Sequence, residues 1–264
     1  MPLRRLVGWM VATAYAATLA RRRALARISR FGCLPVVVHA LPAAELEKIL
    51  AWLKSHDALE HLWLSFDDGW TTLPDCVPVL ERFGVRAKVF IAPGQTLRGT
   101  IWTNEAAQRG VPPQVWRGWR HFDEKKRNAL LDSWRRDGFS PERRLLGKEQ
   151  VVALSRHPLL EIENHTWSHL SATHRPVEEV VSEVERTQRT LEEWTGRTPE
   201  MVAWPFGRGN AELDARMGRL DLTALYTRQG YKLPRCRNMA IEGVSFRENL
   251  GRILGAWPKV GETL

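Results

Sequence analysis

The sequence predicts an α/β protein, a mainly parallel sheet with helices outside it. Three observations carry that expectation. From residue 34 onward, short apolar runs of strand length alternate with segments of helical period, and such alternation implies parallel strands joined by helical crossovers. The run at 62–66, Leu-Trp-Leu-Ser-Phe, ends in Asp67, Asp68 and Gly69, which mounts two acids at a strand's carboxyl end, where sheets of this kind bind ligands. A long amphipathic segment at 177–194 is stopped by Gly196, the signature of a full-length helix. With 264 residues and 44% apolar side chains, the chain can bury a substantial core.

The elements follow in order. Residues 34–39, Leu-Pro-Val-Val-Val-His, read as a buried strand ending at His39, and Leu46, Ile49, Leu50 and Leu53 place a helix over 42–56. After strand 62–66, residues 73–84 suggest a helix interrupted near Pro78, and 86–91 a strand closed by Ala-Pro-Gly. Further strands are expected at 159–162, 201–204 and 222–226. Residues 95–150 are an insertion, with helices expected over 113–119 and 122–137 that mix Trp102, Trp116, Trp119 and Trp134 with many arginines and lysines. Tryptophan faces stack on sugars and arginines bind phosphates, so this composition fits a glycan lid. It also fits helices that pack tryptophan inward and show arginine to water.

Charge is unevenly placed. Of 39 basic side chains seven precede the first acid, Glu45, leaving 32 basic against 30 acidic side chains, about +2, for the remainder. That balance argues against a nucleic-acid-binding domain. The apolar stretch 6–20 is shorter than the about 20 residues a spanning helix needs. Arginines 21–23 directly behind it oppose a secretory signal. Residues 1–29 therefore read as a separate helix lying on an anionic membrane surface, at the cytoplasmic inner face, or else as a helix packed on the catalytic domain of residues 30–264. Three widely spaced cysteines, Cys33, Cys76 and Cys236, form neither a disulfide framework nor a zinc ribbon, which fits a reducing compartment.

The chemistry concentrates at three strand ends. Beyond the Asp67–Asp68 pair, residues 163–169 read Glu-Asn-His-Thr-Trp-Ser-His. Two histidines four apart lie on one face of a helical turn and can grip one metal ion, with one of the two aspartates as third ligand. A third strand breaks at Pro205 in Ala-Trp-Pro-Phe-Gly, 203–207. Three protein ligands leave an open position for water on a divalent ion, as hydrolysis of an unreactive amide requires. We assign Asp68, His165 and His169 as ligands, which leaves Asp67 as the acid placed to take the proton from water.

These motifs, SFDDG and HTWSH at their spacing, make the chain resemble polysaccharide deacetylases of the NodB-homology type, carbohydrate esterase family 4. The resemblance covers roughly residues 34–255, including the stretches 74–91 and 178–207. It implies a distorted, incomplete (β/α) barrel and a metal-dependent carbohydrate de-N-acetylase, with Zn2+ the expected ion and Co2+, Ni2+ or Mn2+ alternatives. It implies the same division of roles between Asp67 and Asp68, a bracing hydroxyl at Thr166, and an oxyanion donor in the backbone N–H of Phe206. Trp70, Trp204 and Pro205 are the residues expected to face substrate. Two departures stand out: Ala203 occupies the place of an arginine that pairs with the catalytic aspartate, and no late Leu-x-His motif follows His174. Arg235 is the candidate partner of Asp67, and His39 the candidate acid, because in a closing barrel the first strand neighbours the last.

The expected activity is removal of an N-acetyl group from an amino sugar in a glycan, glycolipid or sugar-phosphate precursor. The alternatives are a deformylase of a lipid-linked amino sugar, a catalytically impaired carbohydrate-binding relative, and an iron oxygenase, since two histidines and a carboxylate also form that metal triad.

Overall fold

The computed structural model describes residue 22 and residues 33–226, 238–240 and 246–253. The segment 1–29 (apart from Arg22), Cys236 and Arg235 lie outside them, so the readings placed there stay expectations. No helix among the described residues is long and apolar enough to cross a membrane.

Seven strands form one sheet in the order β6-β5-β4-β3-β2-β1-β7. They are β1 (Leu34–Val38), β2 (Leu62–Asp67), β3 (Ala87–Ile91), β4 (Leu160–Asn164), β5 (Met201–Ala203), β6 (Thr223–Leu225) and β7 (Asn238–Ala240). Every pairing is parallel. Successive strands are neighbours from β1 to β6, as short connections favour, and β7 returns to the free side of β1. The sheet curls into a half-barrel, and among the described residues its edge strands β6 and β7 do not pair. This is the distorted, incomplete (β/α) barrel.

Helices α1 (Ala43–Ser55) and α2 (Leu73–Phe83) cover the outer face of the first strands. Leu46, Ile49, Leu50 and Leu53 recur at helical spacing on α1 and enter the main core with Leu73, Val79 and Leu80 of α2. The expected interruption at Pro78 does not occur. As the sixth residue of α2, its missing N–H removes only the bond to the carbonyl of Pro74 in the first turn, and the buried face carries the helix through.

The insertion is helical from its start: α3 (Pro93–Arg98), α4 (Trp102–Gln108), α5 (Pro113–Gly118) and α6 (Glu124–Arg136). Its tryptophans point inward, Trp102 and Trp119 forming a small core with Ile101, Ala106, Leu131 and Leu145. Beyond it come α7 (Lys148–Ser155), α8 (Val177–Thr195), α9 (Ala211–Arg219) and α10 (Phe246–Ile253). On α8 the stop at Gly196 is a left-handed cap, φ 74°, which glycine adopts without a Cβ penalty.

Between β4 and β5 the register contains a single pair, Asn164 with Val202. Side chains reinforce this seam. Lys88 of β3 donates to Glu161 at 2.6 Å and Glu163 at 2.8 Å, and the other oxygen of Glu163 accepts from the backbone N–H of Glu200 and Met201. The nearly buried Glu163 carboxylate thus ties three strands together. The Lys88 hydrogen bond, against burial, holds Glu161 below its ordinary value; burial would lower Lys88, but both glutamates raise it.

Lys88→Met is expected to strip from Glu163 the cation that pairs with it among the described residues while keeping the stem's packing, and to cost about 3 kcal/mol as an unpaired buried charge. Urea unfolding measures this, and an unchanged midpoint would refute the tie. Because the Glu161 value is depressed, its share of stability is present at neutral pH and is lost as pH falls through that depressed value. The Lys88 share is lost only as pH rises through its raised value.

Candidate metal centre

The site is built where β2 and β4 end. Asp67 closes β2 at 2% exposure, and Asp68 and Gly69 follow with φ of 75° and 72°. Two successive left-handed residues reverse the chain sharply, a conformation that aspartate tolerates better than most side chains and glycine best. The turn leaves Asp68 at 4% exposure with Oδ1 3.2 Å from Nε2 of both His165 and His169.

The histidines do not sit on a helical turn. Thr166 and His169 have φ of 61° and 53°, so the segment after β4 is a tight loop, and β4 itself runs on to Asn164 at the threshold of His165. The loop is held from every side. His165 N–H donates to the Ile91 carbonyl, Gly94 N–H to that of Trp167, and Thr166 N–H to the Asn164 side chain, whose amide donates to Val184. A Cβ on Gly94 would lie 2.7 Å from the Trp167 carbonyl oxygen, so this approach requires glycine.

The insertion supplies the remaining restraints. Trp102 Nε1–H donates to the His169 carbonyl at 3.0 Å, and the buried Arg127 donates to the Ser168 carbonyl at 3.0 Å and to its hydroxyl at 2.6 Å. Glu183 of α8 accepts from the Ser168 N–H and hydroxyl. Burial pushes the Glu183 carboxyl up, against the pull of Ser168 and Arg127. Sequence reasoning missed Trp102, Arg127 and Glu183 as supports. For Glu183 a signal existed, an acid on the apolar face of α8 beside Val180 and Val184.

The residues fit a divalent cation. His165 Nδ1 lies 2.7 Å from the Ala203 carbonyl, which only accepts, so Nδ1 carries the proton and Nε2 turns a lone pair toward Asp68. Burial lowers the His169 pKa, against Asp68, and favours its neutral ring. Asp68 Oδ1 is buried without a hydrogen bond. Ligand atoms of Asp68, His165 and His169 lie within 4.8 Å of one another. A buried carboxylate oxygen facing the His165 lone pair is an unfavourable contact that a cation resolves.

Other expected site residues are distributed unevenly. His39 follows β1, which pairs with β7, and its Nε2 is 3.8 Å from Asp68 Oδ2 with the side chain 30% exposed. Trp70 Nε1–H donates to Asp68 Oδ2 at 3.1 Å. The Phe206 ring is 5.0 Å from that of His169, and its backbone turns left-handed at φ 60°. Trp204 and Pro205 are buried, Trp204 at 1% exposure among Leu213, Met217 and Tyr226. The indole packs under α9.

A protein-family model described as polysaccharide deacetylase matches residues 54–225. No curated protein matches the chain by sequence. Among solved structures, a polysaccharide deacetylase from Bacillus cereus is 13% identical with a TM-score of 0.53, covering 83% of this chain and 67% of the other. IcaB from Ammonifex degensii is 15% identical at a TM-score of 0.53, covering 84% and 95%. A de-N-acetylase from Aggregatibacter actinomycetemcomitans is 15% identical at 0.51, covering 81% and 98%. At these identities the likeness is one of fold.

Trp102→Phe removes one hydrogen bond to the metal loop and keeps most of the ring. It is expected to weaken Zn2+ or Co2+ affinity by about 10- to 100-fold, the usual effect of losing a support behind a ligand, while His165→Ala or His169→Ala abolishes tight binding. Competition with a chromogenic chelator reads both, and wild-type affinity in the phenylalanine variant would show that the loop holds itself.

Proposed function

This chain belongs to the polysaccharide deacetylase family, and from that premise we propose that it is a metal-dependent hydrolase that removes an N-acetyl group from an amino sugar of a glycan, glycolipid or sugar-phosphate precursor. One observation carries the reading. At the carboxyl ends of two parallel strands, a buried carboxylate oxygen without a hydrogen bond faces two imidazoles, and a second buried acid, Asp67, stands next to it in the chain. A carbohydrate-binding site alone has little use for that additional acid.

Asp68, His165 and His169 would hold the ion, with Zn2+ the expected species. When bound it supplies Lewis acidity toward the amide carbonyl and makes water acidic enough to lose a proton near neutral pH. The protein's own groups do the rest. Asp67 takes the proton as the water oxygen bonds to the carbonyl carbon, and the backbone N–H of Phe206 donates to the oxygen that becomes negative. His39, at the open side of Asp68, gives a proton to the nitrogen as the C–N bond breaks, releasing acetate and the free amine.

The test is release of acetate from an N-acetylated chitooligosaccharide with Zn2+ or Co2+, abolished by chelator and restored by metal; no acetate under any metal would overturn the reading. Asp67→Asn is expected to keep metal stoichiometry and lower turnover by about 10²- to 10⁴-fold. A near-wild-type rate in that variant would move the base elsewhere.

A further inference from the structure

The two oxygens of the Asp68 carboxylate stand in different surroundings. Oδ1, which lies 3.2 Å from Nε2 of both His165 and His169, is buried without a hydrogen bond. Oδ2 accepts the indole N–H of Trp70 at 3.1 Å and is 3.8 Å from His39 Nε2, beyond hydrogen-bond reach. The last torsion of an aspartate is broad and nearly two-fold, so an unrestrained carboxylate would exchange its two oxygens. A donor fixed on one of them stops that exchange.

Trp70 follows Asp68 by two residues, and its ring is held from elsewhere. The left-handed pair Asp68 and Gly69 reverses the chain. Behind that turn Trp70 forms an antiparallel bridge with Leu145, flanked by two backbone hydrogen bonds of 2.9 Å, from Leu146 N–H to the Gly69 carbonyl and from Thr71 N–H to the Arg144 carbonyl. The ring packs against the insertion core of Trp102, Trp119 and Leu145, with the Arg144 guanidinium 5.8 Å from its centroid. Trp102 of the same core donates to the His169 carbonyl. One apolar cluster therefore positions two indole N–H groups, one on Asp68 and one on His169.

An indole suits this place chemically. Its nitrogen donates and never accepts, so it binds the back of a carboxylate without competing for a cation at the front. A packed ring also keeps its donor in place, where a water molecule would come and go. We propose that Trp70 is a positioning residue of the metal centre: its Nε1–H holds Asp68 Oδ2 and so presents Oδ1 to the cation between His165 and His169, whatever contact the ring also makes with substrate. The inference rests on the metal-binding part of the function proposed above and is independent of which bond is hydrolysed.

Trp70→Phe removes the N–H and keeps most of the ring. Zn2+ and Co2+ affinity, read by competition with a chromogenic chelator, is expected to fall about 10- to 100-fold in this variant and to stay within about twofold in Trp134→Phe, whose indole packs on Trp119 and Phe139. In the isotope-labelled wild-type protein, the Trp70 indole N–H resonance is expected to move upfield when Zn2+ is added, because a cation on Oδ1 draws electron density from Oδ2 and weakens the hydrogen bond. Thermal unfolding of the metal-free proteins checks that both variants fold; if Trp70→Phe does not, the wild-type resonance, assigned by triple-resonance spectroscopy, decides alone. Wild-type affinity in Trp70→Phe, an equal loss in Trp134→Phe, or a resonance that does not move upfield overturns the proposal. Acetate release by a Trp70→Phe enzyme of wild-type metal affinity would defeat this inference alone, whereas the expected metal results without acetate release from any N-acetylated sugar would defeat the deacetylase reading alone.

Discussion

The site depends on an encounter that the isolated side chains would avoid. A buried Asp68 oxygen sits 3.2 Å from a nitrogen of each of two imidazoles, and the His165 ring turns a lone pair inward because its other nitrogen is committed to the Ala203 carbonyl. Holding acceptor against acceptor in a dry pocket is costly, so the backbone around it has to be over-determined. That explains the run of left-handed residues, Asp68, Gly69, Thr166 and His169. Such conformations persist only where the surroundings enforce them, and they cluster at functional sites. Nearly every peptide from His165 to His169 is pinned by a different neighbour: β3, the β3–α3 turn, the insertion or α8.

Much of this was legible from the residues. The strand ending in Asp-Asp-Gly, the His-x-x-x-His pair and the break at Pro205 are local signals, and parallel strands deliver all three to one end of the sheet because ligands gather there. Element types were readable for the same reason, since the apolar periods of 43–55 and 177–195 survive any tertiary adjustment. What failed was read from local rules that tertiary contacts overrode. Helical spacing of two histidines said nothing of the positive φ at Thr166. A proline near the start of α2 broke one bond but no core contact.

The insertion changes meaning most. Its tryptophans and arginines fitted either a glycan lid or helices with tryptophan packed inward, and Trp102 and Arg127 are buried and reach the His165–His169 loop from behind, while Arg120 and Arg144 lie against the Phe206 and Trp70 rings. One segment therefore contributes both rigidity and charge. Arginine lends itself to either use, with a planar fork for backbone carbonyls when buried and for oxyanions when exposed, so residue type alone could not separate the two.

The sparse pairing between β4 and β5 divides the molecule more deeply than its single sheet implies. The large core under β1 to β4 and the smaller one around β5 and β6 are separate clusters, joined across this seam by the Asn164–Val202 pair, the Lys88–Glu163 tie and a third cluster in which Phe90 of β3 meets Ala203 and Leu225. The candidate ligands Asp68, His165 and His169 follow β2 and β4, whereas the Ala203 carbonyl that sets the His165 tautomer, and the Phe206 backbone, belong to β5 and the turn after it. The candidate site is thus assembled across a seam with little backbone pairing, and a change that loosened the seam would release the His165 ring from its tautomer before it unpaired the remaining strands.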